Sequence, residues 1–261
     1  MPHAIPPLLI IDAGQPVAPL RRHGDFAHWI RVAAGLGRRE AVAVNVEAGD
    51  ALPACAGFSG VIVSGSAAMV TERLDWSEHA AAWLRDAAQA GLPLFGICYG
   101  HQLIAHALGG TVGDSPGGRT MGTVEVACTT AAHEDPLFAA LPARFAAQVT
   151  HLQSVLRAPP DAVVLATAGH DPCHAFRWRD RVWGVQFHPE FSALHMRGYI
   201  RARADLLRRE GADPERLAAA VRAAPQARRL LRRFARRART LATILTDRGH
   251  DDDGSKEGVG G

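Results

Sequence analysis

Apolar positions in the first part of the chain fall in short runs separated by segments of helical period, the pattern of βαβ units around a mainly parallel sheet. Leu8-Leu9-Ile10-Ile11, ending at Asp12-Ala13-Gly14, predicts a first buried strand. Phe26, Trp29, Ile30 and Ala33 follow at helical spacing. Val42 to Val46 and Val61 to Val63 predict the next strands, the second breaking into Ser64-Gly65-Ser66. A helix is expected from Ser77 to Ala90, with Ser77 as N-cap and Gly91 just past its end. Pro93 to Ile97 predicts a strand entering a turn at Cys98, and Leu103, Ile104, Ala107 and Leu108 make the stripe of a following helix closed by Gly109-Gly110.

Beyond this point the period changes. Met121 to Cys128 alternates with period two, Phe145 to Val149 and Val163 to Ala166 are further strands, and Ala175 to Trp178 faces Val182 to Val185 across Arg179-Asp180. This half is antiparallel and rich in hairpins. From Ser192 the signal is helical: Leu194, Tyr199, Ile200, Leu206 and Leu207 suit one helix, Pro214 sits near the start of a second, and Pro225 opens a third. In the third, Leu230, Leu231, Phe234, Leu241, Ile244 and Leu245 line one stripe while arginines crowd the rest. Gly249 to Gly261 reads as disordered. The resulting expectation is an α/β three-layer sandwich, flavodoxin-like, with a mostly parallel sheet, a small antiparallel excursion and a C-terminal helical appendage. Residues 1–205 form the main domain, 206–246 a basic helical extension and 247–261 a tail.

Charge sharpens this division. The 261 residues carry a net charge of only +3. Residues 1–196 hold 13 Arg and 17 acids, whereas residues 197–248 hold 15 Arg and 5 acids, so a mildly acidic body carries a strongly basic segment. That segment reads as a solvated face over a docked stripe or as a docking face for an acidic protein partner. Nucleic acid is not expected, because no interleaved set of aromatics accompanies the arginines. Four cysteines spaced 43, 30 and 45 apart contain no C-x-x-C, the N-terminus lacks a signal-like apolar stretch, and no apolar run is long enough to span a bilayer, so a cytoplasmic location with reduced thiols is expected. A chain of this size buries a core without metal or disulfide staples.

The chemistry concentrates in Gly96-Ile97-Cys98-Tyr99-Gly100-His101-Gln102, between a strand and a helix, with the shape of a nucleophile elbow. A sharp turn exposes the central side chain, the flanking glycines remove Cβ atoms that crowd it, and the helix N-terminus favours thiolate. Alone, this pattern also suits a structural cysteine in a tight turn; a base decides between the two. The base is in Gln186-Phe187-His188-Pro189-Glu190, where residues i and i+2 of extended chain share a face, so that Glu190 can hold one nitrogen of His188 while the other faces the thiol. The other histidines do not read as a metal site. His101 and His106 are five apart, His170 and His174 lie around a Pro-Cys turn, and His133, His195 and His250 read as surface residues. Neither a metal nor a cofactor is expected.

These two motifs, about 90 residues apart, resemble those of the class I glutamine amidotransferases, closest to the glutaminase domain of GMP synthase and its stand-alone relatives, over roughly residues 8 to 200. The resemblance implies that Cys98 attacks the side-chain amide of glutamine to form a γ-glutamyl thioester and release ammonia. It implies His188 as base and then acid, Glu190 as its orienter, and an oxyanion hole from backbone N–H groups of Tyr99 and of Gly65 or Ser66. Gln102 matches a position that contacts glutamine, and Thr150 and His151 fall where the pocket wall lies.

Two departures stand out. The oxyanion loop reads Ser-Gly-Ser-Ala where GMP synthases resemble Ser-Gly-Gly-Pro, and Thr150-His151-Leu152-Gln153 lacks the aspartate of their Ser-His-x-Asp. No Ser-Gly-Gly-x-Asp-Ser phosphate loop follows Glu190. The functional expectation is a glutaminase supplying ammonia to an acceptor or synthase partner, docked through the basic helices. The alternative is a stand-alone γ-glutamyl peptidase or hydrolase acting on γ-glutamyl amides or peptides. A non-catalytic binding protein that keeps the fold fits poorly with the intact Cys98, His188 and Glu190 set.

Overall fold

The computed structural model describes residues 5–169 and 171–253, with side chains as far as residue 244. In chain order the elements are β1 (Leu8–Asp12), α1 (Phe26–Ala34), β2 (Ala41–Asn45), β3 (Gly60–Val63), α2 (Asp75–Gln89), β4 (Leu94–Ile97), α3 (Tyr99–Ala107), β5 (Thr111–Asp114), β6 (Thr120–Cys128), β7 (Arg144–His151), β8 (Gln153–Arg157), β9 (Ala162–Ala168), β10 (Asp171–Trp178) and β11 (Val182–Val185). Four helices follow: α4 (Ala193–Ala202), α5 (Ala204–Arg209), α6 (Pro214–Ala220) and α7 (Pro225–Asp253). The large sheet runs β2-β1-β3-β4-β11-β10-β9-β6-β7. The pairs from β2 through to β11 are parallel, and from β11 onward neighbours run antiparallel; β5 and β8 make a separate small ribbon.

The alternation of side chains along the parallel strands divides the core into two layers. Leu8, Ile10, Ile62, Phe95 and Ile97 pack with α1 and with Leu230, Leu231, Phe234 and Ala238 of α7. Leu9, Ile11, Val61, Val63 and Leu94 pack instead with α2 and α3. The expected appendage helix α7 is thus the outer layer over one sheet face. Its arginines tie it down further: Arg232 Nε donates to Ala33 O at 3.3 Å, Arg233 to Leu137 O at 2.7 Å, and Arg239 pairs with Glu40 at 2.8 Å.

Several local expectations are corrected. Helix α2 begins at Asp75 with Leu74 as N-cap, and Ser77, expected to cap it, is buried within the first turn, where its hydroxyl bonds the Tyr99 hydroxyl. The single helix expected over Leu194 to Leu207 is two helices broken at Arg203, and Leu194 is exposed. His174 lies in strand β10 rather than beside a turn; His170 lies outside the described residues. His195 is half-buried and stacked on Trp29 with 3.9 Å between ring centroids, and burial pushes it down to about 4. Helix α7 continues to Asp253, past the Gly249 at which the tail was expected to start; residues 254–261 and the His250 side chain lie outside what is described.

Candidate active site

Open parallel sheets present loops at the carboxyl ends of their strands, and the chemistry-bearing residues collect there. Cys98 follows β4 and opens α3 with φ 52° and ψ −101°. The turn is tight enough that a Cβ on Gly96 would strike the Gly100 carbonyl, and one on Gly100 would come within 2.5 Å of Val63 O. Both glycines of the motif are therefore required by close approach of the backbone. The Gly100 N–H bonds Ser64 O at 3.1 Å, while the preceding N–H, of Tyr99, opens the helix with no carbonyl of its own helix to bond. The Tyr99 ring packs beside Trp76, and its hydroxyl bonds the Ser77 hydroxyl.

Strand β11 delivers the second motif. His188 and Glu190 are both buried, and His188 Nδ1 lies 2.8 Å from Glu190 Oε1. The His188 backbone N–H is fixed by Gln148 O at 2.8 Å, and Phe191 stacks on the ring at 4.2 Å. His188 Nε2 has no partner of this kind. Burial alone pulls this imidazole down. The Glu190 carboxylate and the Cys98 sulfur beside it outweigh burial and push it up to about 10.

Loop Ser64-Gly65-Ser66 follows β3, and a Cβ on Gly65 would meet His188 Cε1 at 3.0 Å and Cys98 Cβ at 3.8 Å, so this backbone lies against both groups. The loop is anchored from below. Ser64 Oγ accepts the Ala13 N–H at 2.8 Å and turns its proton toward Asp12 Oδ1 at 3.2 Å or Gly65 O at 2.9 Å. Burial pushes Asp12 up to about 6.

A pocket of about 220 Å³ opens over the thiol, lined by Ser66, Cys98, Tyr99, Gln102, Thr150, His151 and His188 among others. All the sequence-predicted site residues except Gly65 and Glu190 line it. Those two stand directly behind, against His188. Gln102 is buried, its amide nitrogen donating to Gln153 O at 2.7 Å and Gln186 Oε1 at 3.0 Å. The Thr150 carbonyl approaches the Cys98 sulfur at 3.8 Å.

Sequence reasoning left out two features of this pocket. Gln186 Nε2 donates toward Cys98 Sγ at 3.6 Å. The signal was present, since Gln186 directly follows β11 in the same motif as His188 and Glu190. Arg21, Arg119 and Arg203 also reach the pocket wall. They come from a short 3₁₀ turn, the edge of β6 and the break between α4 and α5, where no pattern announces them. The pattern also did not announce that His151, Asp171 and His174 converge, all buried, with one potential ligand atom of each within 4.8 Å of the others. Burial pushes His151 down to about 4 and the adjacent His101 down to about 3.

An elbow cysteine beside a His–Glu pair, at the carboxyl ends of a parallel sheet, has the makings of a cysteine amide hydrolase on an α/β sandwich. The chain matches the family Glutamine amidotransferase class-I over residues 32–202, and it belongs to that family. It is 38% identical to the GMP synthase [glutamine-hydrolyzing] of Aeropyrum pernix over 192 residues, 71% of this chain and 33% of that protein. It is 40% identical to the enzyme of the same description from Thermomicrobium roseum over 131 residues, 50% of this chain and 23% of that one. The chain thus spans about a third or less of the length of these relatives. Among solved structures, a glutamine amidotransferase from Thermotoga maritima superposes with a TM-score of 0.72 at 20% identity, covering 91% of this chain and 99% of that one. A glutamine amidotransferase from Methylobacillus flagellatus does so at 0.64 and 23%, covering 94% of each chain. Both share the fold. No helix among the described residues is long and apolar enough to cross a membrane.

Proposed function

We propose that this chain hydrolyses the side-chain amide of glutamine to glutamate and ammonia, through a γ-glutamyl thioester on Cys98, and that the ammonia serves a synthase carried on another chain. The observation that carries this reading is the helix-opening Cys98 beside a buried imidazole whose far nitrogen lies 2.8 Å from Glu190. The Cys98 thiolate adds to the amide carbon. The oxyanion that forms is held by the Tyr99 N–H and a backbone N–H of Gly65 or Ser66, donors of a kind worth ~10²–10³ in rate. The His188 imidazolium gives its proton to the departing nitrogen, which leaves as ammonia. It then takes a proton from water attacking the thioester, releasing glutamate and the thiol. Glu190 fixes the ring and offsets its charge. Gln102 shapes the glutamine pocket by holding the Gln153 carbonyl and Gln186, with Thr150 and His151 as its wall. The chemistry calls on no cofactor. It belongs in the cytoplasm, where the thiol stays reduced.

A second reading has support of its own. Arg203 at the pocket wall has no carboxylate partner among the described residues, and Arg21 and Arg119 stand near it. This favours a γ-glutamyl amide or peptide whose departing half carries a carboxylate. The two readings separate on one assay: ammonia release from glutamine against cleavage of a γ-glutamyl dipeptide by the same chain. Faster turnover of glutamine, rising further when a synthase is added, supports the first; fast dipeptide cleavage that is lost in Arg203→Ala supports the second. Cys98→Ala should abolish both reactions, and unchanged rates in that variant would overturn the catalytic assignment.

A further inference from the structure

Beside the thiol pocket, and separated from it by the strand end at Thr150-His151, lies a second polar cluster that amide hydrolysis does not need. His174 and Asp171 are buried near the start of β10, and His151 closes β7 beside them. His174 Nδ1 lies 2.8 Å from Asp171 Oδ2, and His151 Nδ1 lies 3.0 Å from Gln153 O. Both partners are acceptors, so in each neutral ring Nδ1 carries the proton and Nε2 keeps a lone pair. Both Nε2 atoms are buried and have no hydrogen-bond partner. Two buried acceptors left unsatisfied cost free energy, and the His151 imidazole, steered by the Gln153 carbonyl on its far nitrogen, has the arrangement that orients metal-binding histidines.

We propose that His151, Asp171 and His174 form a binding site for a divalent transition-metal ion of the Zn²⁺ type, distinct from the cysteine site. Two imidazole nitrogens and a carboxylate oxygen suit such an ion, whereas Mg²⁺ and Ca²⁺ prefer all-oxygen shells. The three potential ligand atoms lie within 4.8 Å of one another. A tetrahedral shell needs about 3.4 Å between ligands, so closing the set takes side-chain rotation in which the Asp171 carboxylate leaves the His174 ring nitrogen it holds at 2.8 Å. A cavity of about 480 Å³ that touches all three residues, with Ser115 and Thr167 on its wall, provides the entry path and room for a water in the fourth position. The ring of His151 lines both this cavity and the glutamine pocket. The Gln153 carbonyl it bonds is also the acceptor for Gln102. Seating an ion therefore draws on the wall of the glutamine pocket, and occupancy should change KM for glutamine more than kcat.

The test is a Co²⁺ titration of the full chain carrying Cys98→Ser, so that the active-site thiol does not compete. One equivalent should bind, with the visible absorption of a four- or five-coordinate nitrogen and oxygen site and no thiolate charge-transfer band, and Zn²⁺ should displace it. His174→Gln, and separately Asp171→Asn, which keeps an acceptor for the His174 ring, should each weaken Co²⁺ binding at least tenfold. Absence of stoichiometric binding to the folded parent overturns the proposal whatever the variants do. Unchanged affinity in either variant with unchanged circular dichroism overturns it as well.

Discussion

Cys98 adopts a backbone conformation that a side chain resists, with positive φ and a ψ far from the left-handed helical well. Strain of this kind aims the Cys98 sulfur over the strand ends, and it is borne by the fold. Replacing Cys98 with glycine should therefore raise the free energy of unfolding by about 1 kcal/mol, whereas alanine, which keeps the Cβ, should not; denaturant melts of the two variants make the comparison. His188 offers a second measurement. Its folded value, near 10, lies above the ordinary 6.5 of an unfolded chain, so its contribution to stability is complete below about pH 6.5 and is lost as pH rises through 10. Cys98→Ala and Glu190→Gln each remove a group that holds this value up, so each should lower the titration midpoint of the His188 ring, as followed by NMR. This pair was legible in the sequence because its geometry is local: residues 188 and 190 flank a single proline, and a turn after β11, rather than the extended chain expected, sets them side by side. The cluster of His151, Asp171 and His174 was not, because it is made by two strands whose meeting no spacing encodes.

Among the elements, α7 was visible as an amphipathic helix from its own residues, but the identity of the surface beneath it was not local information. Phe234 meets Phe95 of β4 at 5.3 Å and Trp183 of β11 at 6.2 Å, and each of the three is buried. Phe234→Ala should cost about 3–5 kcal/mol in a denaturant melt, the range for a large aromatic deleted from a packed core, while leaving the geometry around Cys98 unchanged. The strands missed by pattern reading fail for a physical reason. Strands β5 and β8 are short and pair mainly with each other, so no long alternation marks them. The break at Arg203 likewise carries no glycine or proline to announce it, since tertiary packing ends that helix rather than the sequence.

For the molecule as a whole, the charge segregation acquires a structural meaning. The basic segment is the cover of the acidic body, and several of its arginines are held by that body's carbonyls and carboxylates. Removing residues 222–261 should accordingly leave an insoluble chain rather than a bare glutaminase domain. Soluble yield and circular dichroism against the full chain decide this, and a folded, active remnant would show that the cover is dispensable. The position of α7 in the chain also bears on order in time. Residues 98, 188 and 190 emerge from a ribosome before the helix that seals the sheet beneath them. Its partner helix α1 is made far earlier and waits for a contact some 199 residues away in sequence. The nascent chain thus holds Cys98, His188 and Glu190 above an open apolar face until α7 has been made. A chain cut short before α7 keeps that face exposed, which favours capture by chaperones or proteolysis.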